Sequence, residues 1–352
     1  MAVNAQDPIS CELRQLPKAE LHRHLECSMR FSTILELAPQ VGIEVPKNLA
    51  AAKHALLVTE PMNDLESVLR KFMATQAVLH SEEILTRITE EVIEDAYAEG
   101  VRILELRYAP TFIMQGHDNL NFEKIHTAIV KGMESAKKRL PIAVGLIGTL
   151  QRILPVKTNS HVTDFIIDHK DTFVAMDLAD NEVGFEPAPF APLFARARKA
   201  GLHITVHAGE SNVPQSPDYV RDAIELLGAE RIGHGVQIYK SSEVIEFVKE
   251  HRVALELCPT SNWLTNAVDS TAHHPFRFLM EHGVAVTINS DDPGVFDADL
   301  VNEYRVLKTE HALTQDEFAR INDMAAAFSF IPHAEKQKAW PRKIAKGLSP
   351  WS

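Results

Sequence analysis

The sequence predicts an α/β fold, a (β/α)8 TIM barrel with extra helices after its first strand and at its C-terminus. Three observations carry that expectation. Eight apolar, β-branched runs alternate with longer segments of helical periodicity. Glycines stand just ahead of several runs, where a left-handed helix stop is wanted. No glycine-rich phosphate turn follows the first run, although an open doubly wound sheet would usually show one there.

The runs read as strands span residues 20–26, 102–109, 143–149, 173–179, 203–207, 231–233, 254–258 and 285–289. Between them, Gly100, Gly201 and Gly283 close helical patterns. Ser81 before Glu82-Glu83 and Ser216 before Pro217 read as helix starts, each with a capping hydroxyl. Two segments exceed what a minimal barrel needs: 31–79 after the first strand, and the tail beyond about residue 314. No low-complexity tract or linker divides the chain, so residues 1–352 read as a single domain.

Composition narrows the function. Thirty-six basic against 48 acidic side chains give a net charge of −12, so the surface field repels nucleic acid. No apolar stretch is long enough to span a membrane, and the start MAVNAQDPIS has no leader pattern. Three scattered cysteines, Cys11, Cys27 and Cys258, form neither a disulfide framework nor a zinc motif, which suits a reducing cytoplasm. The expected partner is a small molecule, and self-association into a homo-oligomer is left open.

In a barrel the chemistry sits at the C-terminal strand ends, and unusual residues crowd those ends here. His22 and His24 are two apart, so both rings project to one face about 6.5 Å apart. Two readings stand: a shared metal ion, or two separately hydrogen-bonded core histidines. His207 and Asp291, at two other strand ends, would complete an N3O set that suits one zinc ion per chain, with iron, cobalt or manganese admissible. Glu210, three residues past His207, is either a solvated loop residue or a proton carrier. His234 is placed to orient or deprotonate a water. Asp292 beside Asp291 is an acidic pair: a cation holds the charge, or one acid stays protonated, or the two sit in an exposed acidic turn. The other histidines, His273 and His274 included, read as exposed or singly bonded side chains.

These residues lie in segments that resemble a known family. Pro17-Lys18-Ala19-Glu20-Leu21-His22-Arg23-His24-Leu25-Glu26, His207-Ala208-Gly209-Glu210, Arg231-Ile232-Gly233-His234-Gly235, Cys258-Pro259-Thr260-Ser261-Asn262 and Asn289-Ser290-Asp291-Asp292-Pro293 resemble the adenosine and adenine deaminases of the amidohydrolase superfamily. The resemblance implies zinc-dependent hydrolytic deamination of a 6-aminopurine. It implies His22, His24, His207 and Asp291 as ligands, Glu210 as proton donor to the purine ring, His234 on the water and Asp292 on purine N7. It also implies a helical lid carrying Leu65, Val68, Leu69 and Phe72, which share one helical face. Tyr108 and Met114 are read as either core or site.

Two departures bear on the substrate. Glu26-Cys27 stands where adenosine deaminases generally have Asp-Gly, the Asp bonding to ribose. Asp180 stands where the family usually has a glycine whose N–H meets purine N3. Adenosine or 2′-deoxyadenosine is the leading substrate. Adenine, or a modified nucleoside such as aminodeoxyfutalosine or methylthioadenosine, is the alternative.

Overall fold

The structure is a computed structural model, and it describes residues 8–62 and 65–345. Eight strands follow one another in chain order around one sheet: β1 (Lys18–His24), β2 (Val101–Tyr108), β3 (Ala143–Gln151), β4 (Phe173–Ala179), β5 (His203–Ala208), β6 (Arg231–His234), β7 (Ala254–Leu257) and β8 (Ala285–Ile288). Each neighbouring pair is parallel, as helical crossovers require. All eight expected strands are present. The first lies two residues earlier than expected, so Leu25 and Glu26 fall beyond its end.

The seam between β8 and β1 closes the barrel differently from the other joints. Its ladder is reduced to one parallel bridge, Arg23 with Asp291. Around it, the His24 amide donates to the Asp291 carbonyl at 2.9 Å and the Asp291 amide to that of His22 at 3.1 Å. Side chains replace the missing rungs: the Leu21 amide donates to Asn289 Oδ1 at 2.9 Å and the Ser290 amide to Glu20 Oε1 at 3.0 Å. The seam thereby sets Asp291 beside both β1 histidines.

The helix signals hold with one exception. Gly201 ends the helix Ala191–Ala200 at φ +94°, and the Ser81 hydroxyl caps Glu82–Ala98 by accepting from the Ile84 amide at 3.3 Å. Ser216, expected as a cap, is instead the first residue of the helix Ser216–Asp222, and its hydroxyl donates to the Ser211 carbonyl. The helix starts one residue earlier than the cap position requires, with Gln215 at its N-cap, and the hydroxyl serves the preceding loop.

After β1 the insertion forms the helices Phe31–Leu37, Leu49–Leu56 and Leu65–Ala77. The tail is not an appendage. Its helix Gln315–Phe328, started by a Thr314/Glu317 capping box, packs Ala325, Ala326 and Phe328 against Ala19, Leu21 and Ile103 and plugs the end of the barrel opposite the functional strand ends.

The barrel axis is charged, where branched aliphatic layers are the rule. Glu105, Arg107, Asp177, Arg231 and Glu256 are all fully buried. Arg231 bridges Glu105 at 2.5 Å and Glu256 at 2.6 Å, and Arg107 bridges Glu256 at 2.6 Å and Asp177 at 3.1 Å. Such a chain of ions persists in a dry interior only when every charge is paired.

Candidate active site

The ion chain ends on two histidines. Glu256 Oε2 lies 2.8 Å from His22 Nδ1, and Asp177 lies 3.0 Å from His207 Nδ1. Ionised carboxylates only accept, so each Nδ1 carries the proton and each Nε2 keeps its lone pair. Those lone pairs point at one place. His22 Nε2 lies 3.1 Å from Asp291 Oδ1, His24 Nε2 lies 3.4 Å from the same oxygen, and the Nε2 atoms of His24 and His207 approach to 3.2 Å.

His22 Nε2 and Asp291 Oδ1 are buried and have no hydrogen-bond partner among the described residues. Acceptors that face one another without a donor repel, and a cation between them removes the conflict. Electrostatics agrees. Burial drives the His24 and His207 rings toward neutrality, His207 down to about 4. Burial alone would raise the Asp291 carboxyl, yet His22 holds it well below its ordinary range. In return, against burial and Arg107, the Asp291 and Glu256 carboxylates raise the His22 ring, a demand for positive charge that a cation would meet. Neutral imidazoles and an ionised carboxylate are the forms that bind a divalent metal. His22, His24, His207 and Asp291 therefore fit a metal ion, and Ser261 Oγ steadies the carboxylate by donating to Asp291 Oδ2 at 2.6 Å.

Two strand ends leave the regular backbone to aim these groups: His234 and Asp291 both sit at φ +64°, in the left-handed region that side chains seldom adopt. They open onto a cavity of about 210 Å³. Glu210 lies on its wall, taking a hydrogen bond from Thr265 Oγ1 at 2.9 Å, with its other oxygen 3.6 Å from His234 Nε2. Its loop is pinned by Glu182, which accepts from the amides of Gly209 and Ser211 at 2.7 and 2.6 Å. Burial, and then Asp291 beside it, push the Asp292 carboxyl well up, while Asp291 is held down, so the two neighbouring acids are driven apart.

Glu26 and Asp180 also line the cavity. Asp180 stands at φ +77°, a conformation glycine adopts more easily. Glu26 Oε1 accepts from the Ala109 amide at 2.9 Å, while its Oε2 is buried without a hydrogen-bond partner among the described residues. Burial pushes its carboxyl up to about 7. The folded pKa thus exceeds the unfolded value of about 4.3. The stability Glu26 contributes is complete below that lower value and is lost as pH rises through the folded one. Glu26→Gln keeps the acceptor for Ala109. It is expected to match the wild type near about pH 4 and to exceed its stability by roughly 3–4 kcal/mol above neutrality, as urea midpoints across pH would show.

The sequence-derived lid is represented here by one side chain. Phe72 lines the cavity with its ring 6.1 Å from that of Phe296. The helix Leu65–Ala77 carries Leu65, Val68 and Leu69, whose side chains lie outside the described residues. Tyr108 and Met114 belong to the core: Tyr108 is fully buried with its hydroxyl 2.7 Å from His126 Nδ1, and Met114 packs on the main apolar cluster.

Sequence reading missed the second layer. Arg107, Asp177 and Glu256 sit on strands whose alternation marks them as inward-facing, but nothing in the chain order says which ring each supports. His274 is not a bland surface histidine either, being 3% exposed and hydrogen bonded to Asn262. Arg107→Leu would leave two buried carboxylates short of a partner. It is expected to weaken metal binding by roughly 10- to 100-fold in chelator competition and to lower stability by about 3–5 kcal/mol.

Comparison with known proteins agrees with this geometry. Residues 17–345 match the family model described as adenosine deaminase. The chain is 36% identical over 324 residues to an adenosine deaminase of Yersinia enterocolitica, covering 92% of this chain and 96% of that protein. It is 34% identical over 331 residues to one of Shewanella denitrificans, with 94% and 99% covered. Among solved structures, an adenine deaminase from Arthrobacter aurescens superposes with a TM-score of 0.83 at 28% identity, covering 92% of this chain and 96% of that one. The N6-methyl-AMP deaminase of Arabidopsis thaliana gives 0.79 at 28% identity, with 93% and 96% covered. Through the match that spans nearly its whole length, the chain belongs to the adenosine deaminase family.

Proposed function

We propose that the protein hydrolyses the 6-amino group of adenosine or 2′-deoxyadenosine, giving inosine or deoxyinosine and ammonia. One observation carries the reading: three imidazoles and a carboxylate converge beside a cavity that also holds Glu210 and Asp292, with His22 Nε2 and Asp291 Oδ1 left without a partner among the described residues. His22, His24, His207 and Asp291 would hold one zinc ion, the borderline-soft cation suited to three nitrogens and an oxygen. Bound there, such an ion supplies acidity, bringing the pKa of water toward neutrality.

The remaining steps fall to the chain's own groups. Glu210 delivers a proton to the ring nitrogen next to C6, which makes that carbon accept the oxygen of water. His234, 3.6 Å from Glu210, orients the attacking oxygen. Asp292, whose carboxyl burial and Asp291 push toward its protonated form, is the hydrogen-bond partner of purine N7. Of the two protons the water gives up, one passes to the amino group, which leaves as ammonia, and the other restores Glu210, so that a 6-oxopurine remains. Glu26, with one buried oxygen unsatisfied, is available to a ribose hydroxyl. Asp180 offers its backbone N–H at purine N3.

Residues 1–352 act as one barrel domain, with the insertion at 31–79 as its lid and Phe72 closing over the substrate. A cytoplasmic setting suits three cysteines, Cys11, Cys27 and Cys258, that form no disulfide among the described residues, where no helix is long and apolar enough to cross a membrane.

Glu26-Cys27 favours a second reading, deamination of adenine or of a modified adenine nucleoside. Loss of purine absorbance over a panel of adenosine, deoxyadenosine, adenine, methylthioadenosine and aminodeoxyfutalosine separates the two. Adenosine and deoxyadenosine are expected to turn over fastest; strong turnover of adenine with none of adenosine would reverse the ranking.

A further inference from the structure

A neutral imidazole carries one proton, so the nitrogen that bears it decides whether the ring offers a site a lone pair or an N–H. His22 and His207 offer lone pairs, because carboxylates hold their Nδ1–H groups. His234 is held differently. Its Nδ1 lies 3.1 Å from Nδ2 of Asn262, and Oδ1 of Asn262 lies 3.1 Å from Nε2 of His274. At the far end, the Phe276 backbone amide points at His274 Nδ1 from 3.1 Å.

Every proton in this row follows from that last contact. A backbone amide can only donate, so His274 Nδ1 is bare and its proton is on Nε2. That N–H needs an acceptor, which turns the oxygen of the Asn262 amide toward it and the NH2 group toward His234. An NH2 group can only donate, so His234 Nδ1 accepts. The ring proton of His234 is then on Nε2, facing the cavity.

We infer that Asn262 and His274 are positioning residues that lock His234 as a hydrogen-bond donor to the attacking oxygen. This inference rests on the proposed deamination and deepens it. The row is built to persist: Asn262 is fully buried, while His234 and His274 are 2% and 3% exposed. Burial also pushes His274 down to about 3, which keeps its ring neutral at working pH.

The locked tautomer does two things. It removes His234 from the ligand set, although its ligand-capable atom lies within 4.8 Å of those of His22, His207 and Asp291. Distance alone would admit it in place of His24. It also removes His234 as a base at Nε2, because that nitrogen already carries its proton. Of the two roles open to this ring from the sequence, orienting a water and deprotonating it, the row selects the first.

Neutron diffraction from deuterated, zinc-loaded protein reads the row directly, whatever purine the enzyme accepts. Deuterons on Nε2 of both His234 and His274 are expected, and a deuteron on Nδ1 of His234 would overturn the inference. The functional arm is Asn262→Asp, whose carboxylate accepts from both rings and draws the His234 proton to Nδ1. A wrong tautomer in a comparable acid–base site costs about 10⁴ in kcat. A kcat loss of roughly 10²–10⁴-fold is therefore expected, with KM within a few-fold and one metal ion retained. An unchanged kcat in the folded, metal-loaded variant would also overturn it. Absence of turnover on every purine by the wild type would instead defeat the proposed function, while the neutron map still reports the row.

Discussion

Asp291→Ala is expected to abolish turnover and to leave the purified protein with almost no bound metal. This carboxylate is the only charged member of the ligand set, it comes from the strand end that closes the barrel seam, and two imidazole nitrogens lie 3.1 and 3.4 Å from one of its oxygens. Without it the three rings present only neutral lone pairs, and the acidity a cation lends to water over some eight or nine pK units is lost. The expected fall in kcat is more than about 10⁴-fold. Elemental analysis of the variant, beside a wild type carrying one ion per chain, checks the cause. Full activity from a variant without metal would remove the basis of the proposed chemistry.

Glu210→Gln is expected to be the second most damaging change, and to act by another route. The amide keeps the shape of the side chain and can still meet Thr265, but it cannot deliver a proton to a ring nitrogen. General acid catalysis of this kind accounts for roughly 10²–10⁴-fold in rate. The loss should fall on kcat, with metal content and thermal midpoint near those of the wild type, because Glu210 lies on the cavity wall outside the ligand set. Comparing adenosine with a purine that bears a better leaving group at C6 sharpens the test. An equal loss on both assigns Glu210 to attack, and a loss confined to adenosine assigns it to departure of ammonia.

The strand pattern was legible because β-branched runs and glycine stops are local signals, and the β4 run at 173–179 matches the observed strand at both ends. The first strand reads two residues late in the sequence because its chemistry-bearing end continues past the last regular pairing, with the Leu25 amide still bonded to the Arg107 carbonyl at 2.9 Å. A cap and a loop hydrogen bond look alike in one dimension, so Ser216 reads as a cap although its hydroxyl serves the preceding loop. The tail beyond residue 314 looked like an extension, yet its alanine-rich face is the plug of the barrel. Small side chains there allow close approach to the strand ends, which periodicity alone does not reveal.

The amino-acid order by itself determined which residues stand at the ends of which strands, and hence that His22, His24, His207, Glu210, His234, Asp291 and Asp292 face one side of the barrel. Only the tertiary structure decided what each of them can do there. The partner that sets the His22 proton is Glu256, 234 residues away, and the one that sets His207 is Asp177. A histidine becomes a ligand or a donor according to the group behind its other nitrogen. That group reaches it only when the barrel closes and excludes the water that would otherwise satisfy both.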